Sequence, residues 1–295
     1  MTKPKIGFLG LGLMGGAMVE CLQKNGYDLV VLGNRDRTHL DLAISRGAVE
    51  AQSAREVAER TDIVMFCMGT SDHVESRVYG DDGVLAGISA GKVVVDFGTS
   101  LPASTQKIAQ DMAEKGASFL DAPLGRTPAH AVTGLLNIMC AGDKDAYERV
   151  LPVLQDLGEN VFHLGKSGAG HTVKLMNNFF GMTVACAMSE AFAMADRAGV
   201  DRAQLHGVMS AGPLHSGMMD FVKGYAVDGD PNMLEFSIAN ATKDLGYYRK
   251  MAESLGADSV MSSCAFGALD RANLDGRGQQ MVSQLVDWFS DNLDA

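Results

Sequence analysis

Proline is scarce in this 295-residue chain, at seven residues, and a basic excess is missing, since 25 Lys and Arg stand against 36 Asp and Glu for a net charge of -11. With 46% hydrophobic residues and 34 Gly in no internal repeat, the first shortage excludes a disordered, collagen-like or mucin-like chain. The second excludes the diffuse positive field that holds nucleic acid or an anionic membrane, so any anion bound must meet a local cluster. The five cysteines, Cys21, Cys67, Cys140, Cys186 and Cys264, include no CxxC pair; no disulfide framework and no metal site is implied, and reduced thiols fit a cytoplasmic protein. A lipid-spanning run is missing too. The most apolar stretch, Phe179 to Ala195, is interrupted by Ser189 and Glu190 and reads as a buried helix. The N-terminus passes into a strand without an apolar leader segment, which also reads as cytoplasmic.

The length predicts two domains at roughly 150 residues each. Strands are expected at Lys5–Leu9, Leu29–Leu32, Ile63–Phe66, Val93–Asp96, Ser118–Leu120, Leu136–Cys140 and Val161–His163. Between them lie amphipathic stretches at Gly15–Gln23, Ala54–Arg60, Ala103–Lys115 and Lys144–Leu157, and this alternation predicts a mainly parallel, doubly wound sheet. After Gly165-Lys-Ser-Gly-Ala-Gly170 the strand runs cease. His171–Arg197 is continuously helix-compatible, a helix of about 40 Å, and is apolar over more than one stripe, so other helices or another subunit must cover it. Its methionines, among them Met176, Met182, Met188 and Met194, are expected to fill core gaps. Further helices are expected at Arg202–Ser210, Met218–Tyr225, Phe236–Leu255, Ser259–Asn273 and Gln279–Asn292. The fold class is therefore α/β over residues 1–165, followed by an all-α domain over 166–295.

Ile6-Gly-Phe-Leu-Gly10-Leu11-Gly12-Leu13-Met14-Gly15 sets GxGxxG between an expected strand and an expected helix. Gly10 suits the tight turn, Gly12 lets backbone approach a pyrophosphate, and Gly15 lets helix and strand pack closely; the plainer alternative is a glycine-rich turn with no ligand. At the end of the second strand, where an NAD site carries an acidic residue, stand Asn34, Arg35, Asp36 and Arg37. Asn34 would not repel a 2′-phosphate, and Arg35 with Arg37 would attract one, which favours NADP; Asp36 argues for NAD. Leu11, Leu13, Met14 and Met68 complete the expected cofactor contacts on this side.

Lys174 and Asn178, four residues apart, share one helical face just after Gly168 and Gly170. A lysine there is either a solvated charge or the group that stabilises a developing oxyanion and delivers its proton. Together with the glycine loop, the Asp121-Ala-Pro123 turn and Lys243-Asp244-Leu245, this segment resembles the β-hydroxyacid dehydrogenase family across almost the whole chain. The resemblance implies a Rossmann-type domain, an NAD(P)-dependent oxidoreductase and a homodimer or homotetramer in which the long helix packs between subunits. It implies Lys174 as catalytic lysine, Asn178 and Asn177 at the substrate, Thr99 on the nicotinamide side, and Lys243 and Asp244 on the cofactor side.

The chain departs from that pattern after Asp121-Ala-Pro. Where most of the family has Ser-Gly-Gly, this sequence has Gly125-Arg126-Thr127. A guanidinium fork and a hydroxyl suit a strongly anionic head group, and the loop resembles that of the sulfolactaldehyde reductase branch. The expected reaction is reduction of a small anionic aldehyde, 3-sulfolactaldehyde first, with succinic or methylmalonate semialdehyde (3-hydroxyisobutyrate) as alternatives. Two other readings stay open: an oxidative decarboxylase like 6-phosphogluconate dehydrogenase, and a nucleotide sensor without catalysis. Arg126 has a structural alternative, an ion pair with a carboxylate such as Asp121. His130 and His171 are expected to be ordinary surface or helix histidines.

Overall fold

The computed structural model describes residues 3–293; Met1 and Thr2, where the N-terminal reading began, and the last two residues lie outside them. The chain divides into two compact units between Lys174 and Leu175. In the first, the elements run β1 (Ile6–Leu9), α1 (Leu13–Lys24), β2 (Leu29–Leu32), α2 (Thr38–Ser45), β3 (Val49–Ala51), α3 (Ala54–Arg60), β4 (Ile63–Phe66), α4 (Ser71–Tyr79), α5 (Val84–Gly87) and β5 (Val93–Asp96). They continue with α6 (Pro102–Glu114), β6 (Ser118–Asp121), β7 (Leu124–Gly125), α7 (Pro128–Val132), β8 (Leu136–Cys140), α8 (Lys144–Leu157) and β9 (Gly158–His163). Six parallel strands lie in the order β3-β2-β1-β4-β5-β6, and a smaller sheet follows as β7-β8-β9.

The strand segments IGFL, IVMF and VVVD are buried at every residue, as a parallel sheet covered on both faces requires. Alternate residues feed two cores. Phe8, Val31, Met65 and Val95 pack with α1 and α8 residues such as Met18 and Leu154, while Leu9, Val30, Phe66 and Val94 pack with Val57, Val78 and Ile108. The elements absent from the sequence expectation are β3, β7, α2, α4, α5 and α7. β3 is a three-residue edge strand with Val49 half exposed, too short to show a period; α4 is mostly polar and is capped by Thr70 Oγ1, which accepts from the His73 N–H.

The helix α9 (Ala169–Ala198) begins two residues before its predicted start and crosses the division. The second unit continues with α10 (Arg202–Ser210), α11 (Gly217–Ala226), α12 (Ile238–Ser254), α13 (Val260–Ala272) and α14 (Leu285–Asn292). α12 starts later than Phe236 because Ser237 caps it, accepting from the Asn240 N–H. The expected helix from Gln279 is broken: Met281 is extended and bridges to Ser237, and a 3-10 turn (Val282–Gln284) precedes α14. The core of this unit gathers Phe192, Leu245, Leu269, Leu285 and Val286. Of the four methionines expected inside, Met182 and Met188 are buried, whereas Met176 and Met194 are exposed at 48% and 52%. No described helix is long and apolar enough to cross a membrane.

Candidate active site

The strand order reverses between β2-β1 and β4-β5, and the chain leaves the C-terminal ends of β1, β2 and β4 around a cleft of about 310 Å³. Ligands of open α/β sheets bind at such a reversal. Gly10 has φ +95°, and a Cβ there would lie 2.3 Å from Cys67 O; a Cβ on Gly15 would lie 1.9 Å from Gly10 O. Both glycines are demanded by the chain itself. Gly12 is different, because a Cβ there would meet nothing within 4 Å. It precedes α1 without a side-chain cap, and no acidic residue occupies the first turn. Open space, uncapped N–H groups and the positive end of a helix dipole fit a dinucleotide pyrophosphate.

Of the expected cofactor contacts, Gly10, Leu11, Gly12, Asn34 and Met68 line this cleft; Leu13, Met14, Gly15, Arg35 and Thr99 stand outside its lining. Arg37 corrects the expectation of a paired basic cluster. Its Nη1 and Nη2 donate to Glu50 at 2.9 and 3.0 Å, and Nε donates to Asp41, so it is committed to carboxylates. Asp36 lines the cleft, its carboxyl held below the usual range by the N–H of Thr38. Sequence reasoning missed His73 and Arg77, which line the cleft one turn apart on α4. Their spacing of four was the available signal, once Thr70 is read as an N-cap.

Lys174 and Asn178 lie one turn apart on α9. Asn178 is buried, and its Nδ2 donates to Asp244 Oδ2 at 2.6 Å. Asp244, expected beside the cofactor, is itself buried and orients this amide. Lys243 Nζ stands 3.0 Å from Asp244 Oδ1 as an ion pair. Asn177 is exposed and donates weakly to Asn178 Oδ1 at 3.3 Å.

The loop Gly125-Arg126-Thr127 is already engaged. Arg126 sits at φ 78°, the left-handed region, where the family pattern has a glycine. Its Nη1 donates to Leu135 O at 2.6 Å and lies 2.5 Å from Glu159 Oε2. The carboxylate partner is thus Glu159 and not Asp121. Thr127 Oγ1 is 2.8 Å from His130 Nδ1. Asp121 serves elsewhere: its two oxygens accept from the N–H groups of Gly168 and His171 at 2.8 and 2.9 Å, capping α9 from the end of β6. A Cβ on Gly170 would lie 2.3 Å from Met139 O, which is why that turn needs glycine. His171, expected at the surface or on an ordinary helix face, is fully buried.

Residues 5–165 match the family described as the NAD binding domain of 6-phosphogluconate dehydrogenase, and residues 168–289 the family described as NAD-binding of NADP-dependent 3-hydroxyisobutyrate dehydrogenase. The chain belongs to the β-hydroxyacid dehydrogenase family, of 3-hydroxyisobutyrate dehydrogenase type. It is 36% identical over 204 residues to the 3-hydroxyisobutyrate dehydrogenase of Pseudomonas aeruginosa, covering 69% of this chain and 68% of that one. It is 29% identical to the 3-sulfolactaldehyde reductase of Escherichia coli, over 96% of this chain and 94% of that one. The structure of 3-hydroxyisobutyrate dehydrogenase from Salmonella typhimurium superimposes with a TM-score of 0.84 at 27% identity, covering 97% of this chain and all of that one. As a member of this family the chain is an NAD(P)-dependent oxidoreductase.

Proposed function

We propose that the protein interconverts a small carboxylated aldehyde and its hydroxy acid, of the 3-hydroxyisobutyrate or succinic semialdehyde kind, with Lys174 as proton donor in the reducing direction. One observation carries the choice of substrate: the Arg126 guanidinium is tied to Glu159 and Leu135 O, so a sulfonate clamp would first have to break an ion pair and a hydrogen bond. The higher identity to a 3-hydroxyisobutyrate dehydrogenase supports the same reading.

NAD(P)H supplies the hydride when bound. The chain's residues supply the rest. Gly10, Gly12 and the uncapped start of α1 would hold the pyrophosphate. Lys174 Nζ stabilises the oxygen that gains negative charge and gives it a proton, and in the oxidative direction the same group takes that proton back. Asn178 keeps a second Nδ2 hydrogen for the substrate, because Asp244 takes the other and fixes the plane of the amide. With Arg37 withdrawn by Glu50 and Asp36 on the cleft wall, the expected NADP preference rests on Arg35 and Asn34, and NADH is accepted beside NADPH. Exposed Met176, Phe180 and Met194 on α9 support the expectation of a homo-oligomer.

A second reading keeps 3-sulfolactaldehyde, on the strength of the Gly125-Arg126-Thr127 loop. The test is NADPH and NADH oxidation over a panel of sulfolactaldehyde and succinic, methylmalonate and tartronate semialdehydes, for wild type, Arg126→Ala and Lys174→Ala. A carboxylated substrate should lead, with Arg126→Ala changing kcat/KM by less than about threefold, the scale of a surface ion pair. Lys174→Ala should lose about 10²- to 10⁴-fold in kcat while still binding dinucleotide. Sulfolactaldehyde leading, with the preference lost in Arg126→Ala, overturns the carboxylate reading. Absence of turnover on every aldehyde favours a nucleotide sensor.

A further inference from the structure

Behind the first turn of α9, polar groups from four separate segments meet in the interior of the first unit. Asp96, at the end of β5, accepts at Oδ1 from the Gly98 N–H (2.8 Å) and at Oδ2 from Ser100 Oγ (2.9 Å). Asp121, at the end of β6, caps α9. Between them His171 is fully buried, with Nδ1 2.7 Å from Thr105 Oγ1 on α6 and Nε2 3.7 Å from Asp96 Oδ2. Nε2 has no hydrogen-bond partner. Thr105 Oγ1 is also 3.2 Å from Leu101 O.

The hydrogens can be followed. If the Thr105 hydroxyl donates to His171 Nδ1, the neutral ring carries its hydrogen on Nε2, facing Asp96. If it donates to Leu101 O, Nδ1 donates to Thr105 and the neutral ring turns its Nε2 lone pair toward Asp96. Burying an imidazole beside the Asp96 carboxylate is costly, and an apolar side chain of similar size would fill the space with less desolvation. What the ring provides is a directional hydrogen bond to α6, through Nδ1 and Thr105, together with a 3.7 Å approach of Nε2 to Asp96 at the end of β5.

We propose that His171 is a positioning residue for the reaction. It fixes the first turn of α9, and Lys174 one turn later, against the segment between β5 and α6 that carries Thr99. The proposal rests on Lys174 as the proton donor, and a misplacement of about 1 Å in such a group is enough to cost on the order of 10²-fold in rate.

The test uses the full chain and four variants: His171→Leu, His171→Asn, His171→Gln and Lys174→Ala. The Asn amide nitrogen reproduces the contact to Thr105, and the Gln amide nitrogen reaches toward Asp96. kcat, KM, dinucleotide affinity by calorimetry and thermal melting are measured for each. His171→Leu should lose at least about tenfold in kcat with KM and dinucleotide affinity within about threefold, and at least one amide variant should recover most of the loss. If His171→Leu melts cooperatively and keeps kcat within twofold of wild type, the proposal is overturned. It is equally overturned if both amide variants fold yet are as slow as Leu. Should the Leu variant not fold, the two amide variants decide by the same criterion. Lys174→Ala with wild-type kcat instead overturns the reading of Lys174, whatever the His171 variants do.

Discussion

Two helices of the first unit begin after glycines and are finished in opposite ways. α1 has no side-chain cap, no acid in its first turn and empty space where a Gly12 side chain would stand. α9 has two of its first N–H groups taken by Asp121, delivered from a strand some fifty residues earlier. A helix start left open is a set of donors waiting for an anion; one closed by a buried carboxylate is a fixed mount. The family's chemistry needs both, because the cofactor must come and go while the proton donor must stay placed.

Exchanging the demands of the two starts gives the largest expected effect. Gly170→Ala should destabilise the protein by about 3 kcal/mol, through a Cβ pressed on Met139 O. Gly12→Ala should leave urea stability within about 0.5 kcal/mol and weaken dinucleotide binding by roughly tenfold in calorimetry. Equal loss of stability in both variants would erase the distinction. Next, Asp121→Asn retains only one acceptor for two N–H groups and should cost about 2 kcal/mol, read as a lower urea midpoint with unchanged slope.

The third expectation concerns pH. Burial raises the Asp96 carboxyl above its ordinary value, and the neighbouring His171, the Gly98 N–H and Ser100 pull it back only in part. A raised folded pKa means the folded state holds the proton more tightly. The stability from Asp96 is therefore complete below the unfolded value of about 3.9 and is lost as pH rises through the folded one. Urea midpoints of wild type minus Asp96→Asn should be highest near pH 4 and fall toward pH 7; a difference that rises with pH would reverse the sign.

The smallest effects lie outside the two helix starts. Arg126→Gly removes a left-handed strain of about 1 kcal/mol together with an ion pair that is partly exposed, so melting should shift by little. Cys67, whose thiol burial pushes up to about 12, should resist alkylation at pH 8 while exposed Cys264 reacts, as peptide mass spectrometry would show.

The glycine loop, the parallel strands and the long helix were legible because each is a local pattern: period, punctuation and a run of buried apolar residues. Lys174 and Asn178 were legible as a spacing of four on a helix. The fates of Arg37, Arg126, Thr127 and His171 were not. A charged or polar side chain reads the same whether it faces a ligand or a partner, and Glu50, Glu159, His130 and Asp96 are brought to these residues only by the packing of other elements.

What the sequence by itself determined is therefore the order of elements, the fold class and the family, since backbone conformation and burial follow from short-range periodicity and from glycines that tolerate no side chain. Only the tertiary structure decided which helix start is open and which is closed, that Asp121 caps α9 and Asp244 orients Asn178, and that one arginine of the expected phosphate cluster is already spent. Hydrogen bonds and ion pairs act over about 3 Å, and residues that far apart in space are chosen by the fold.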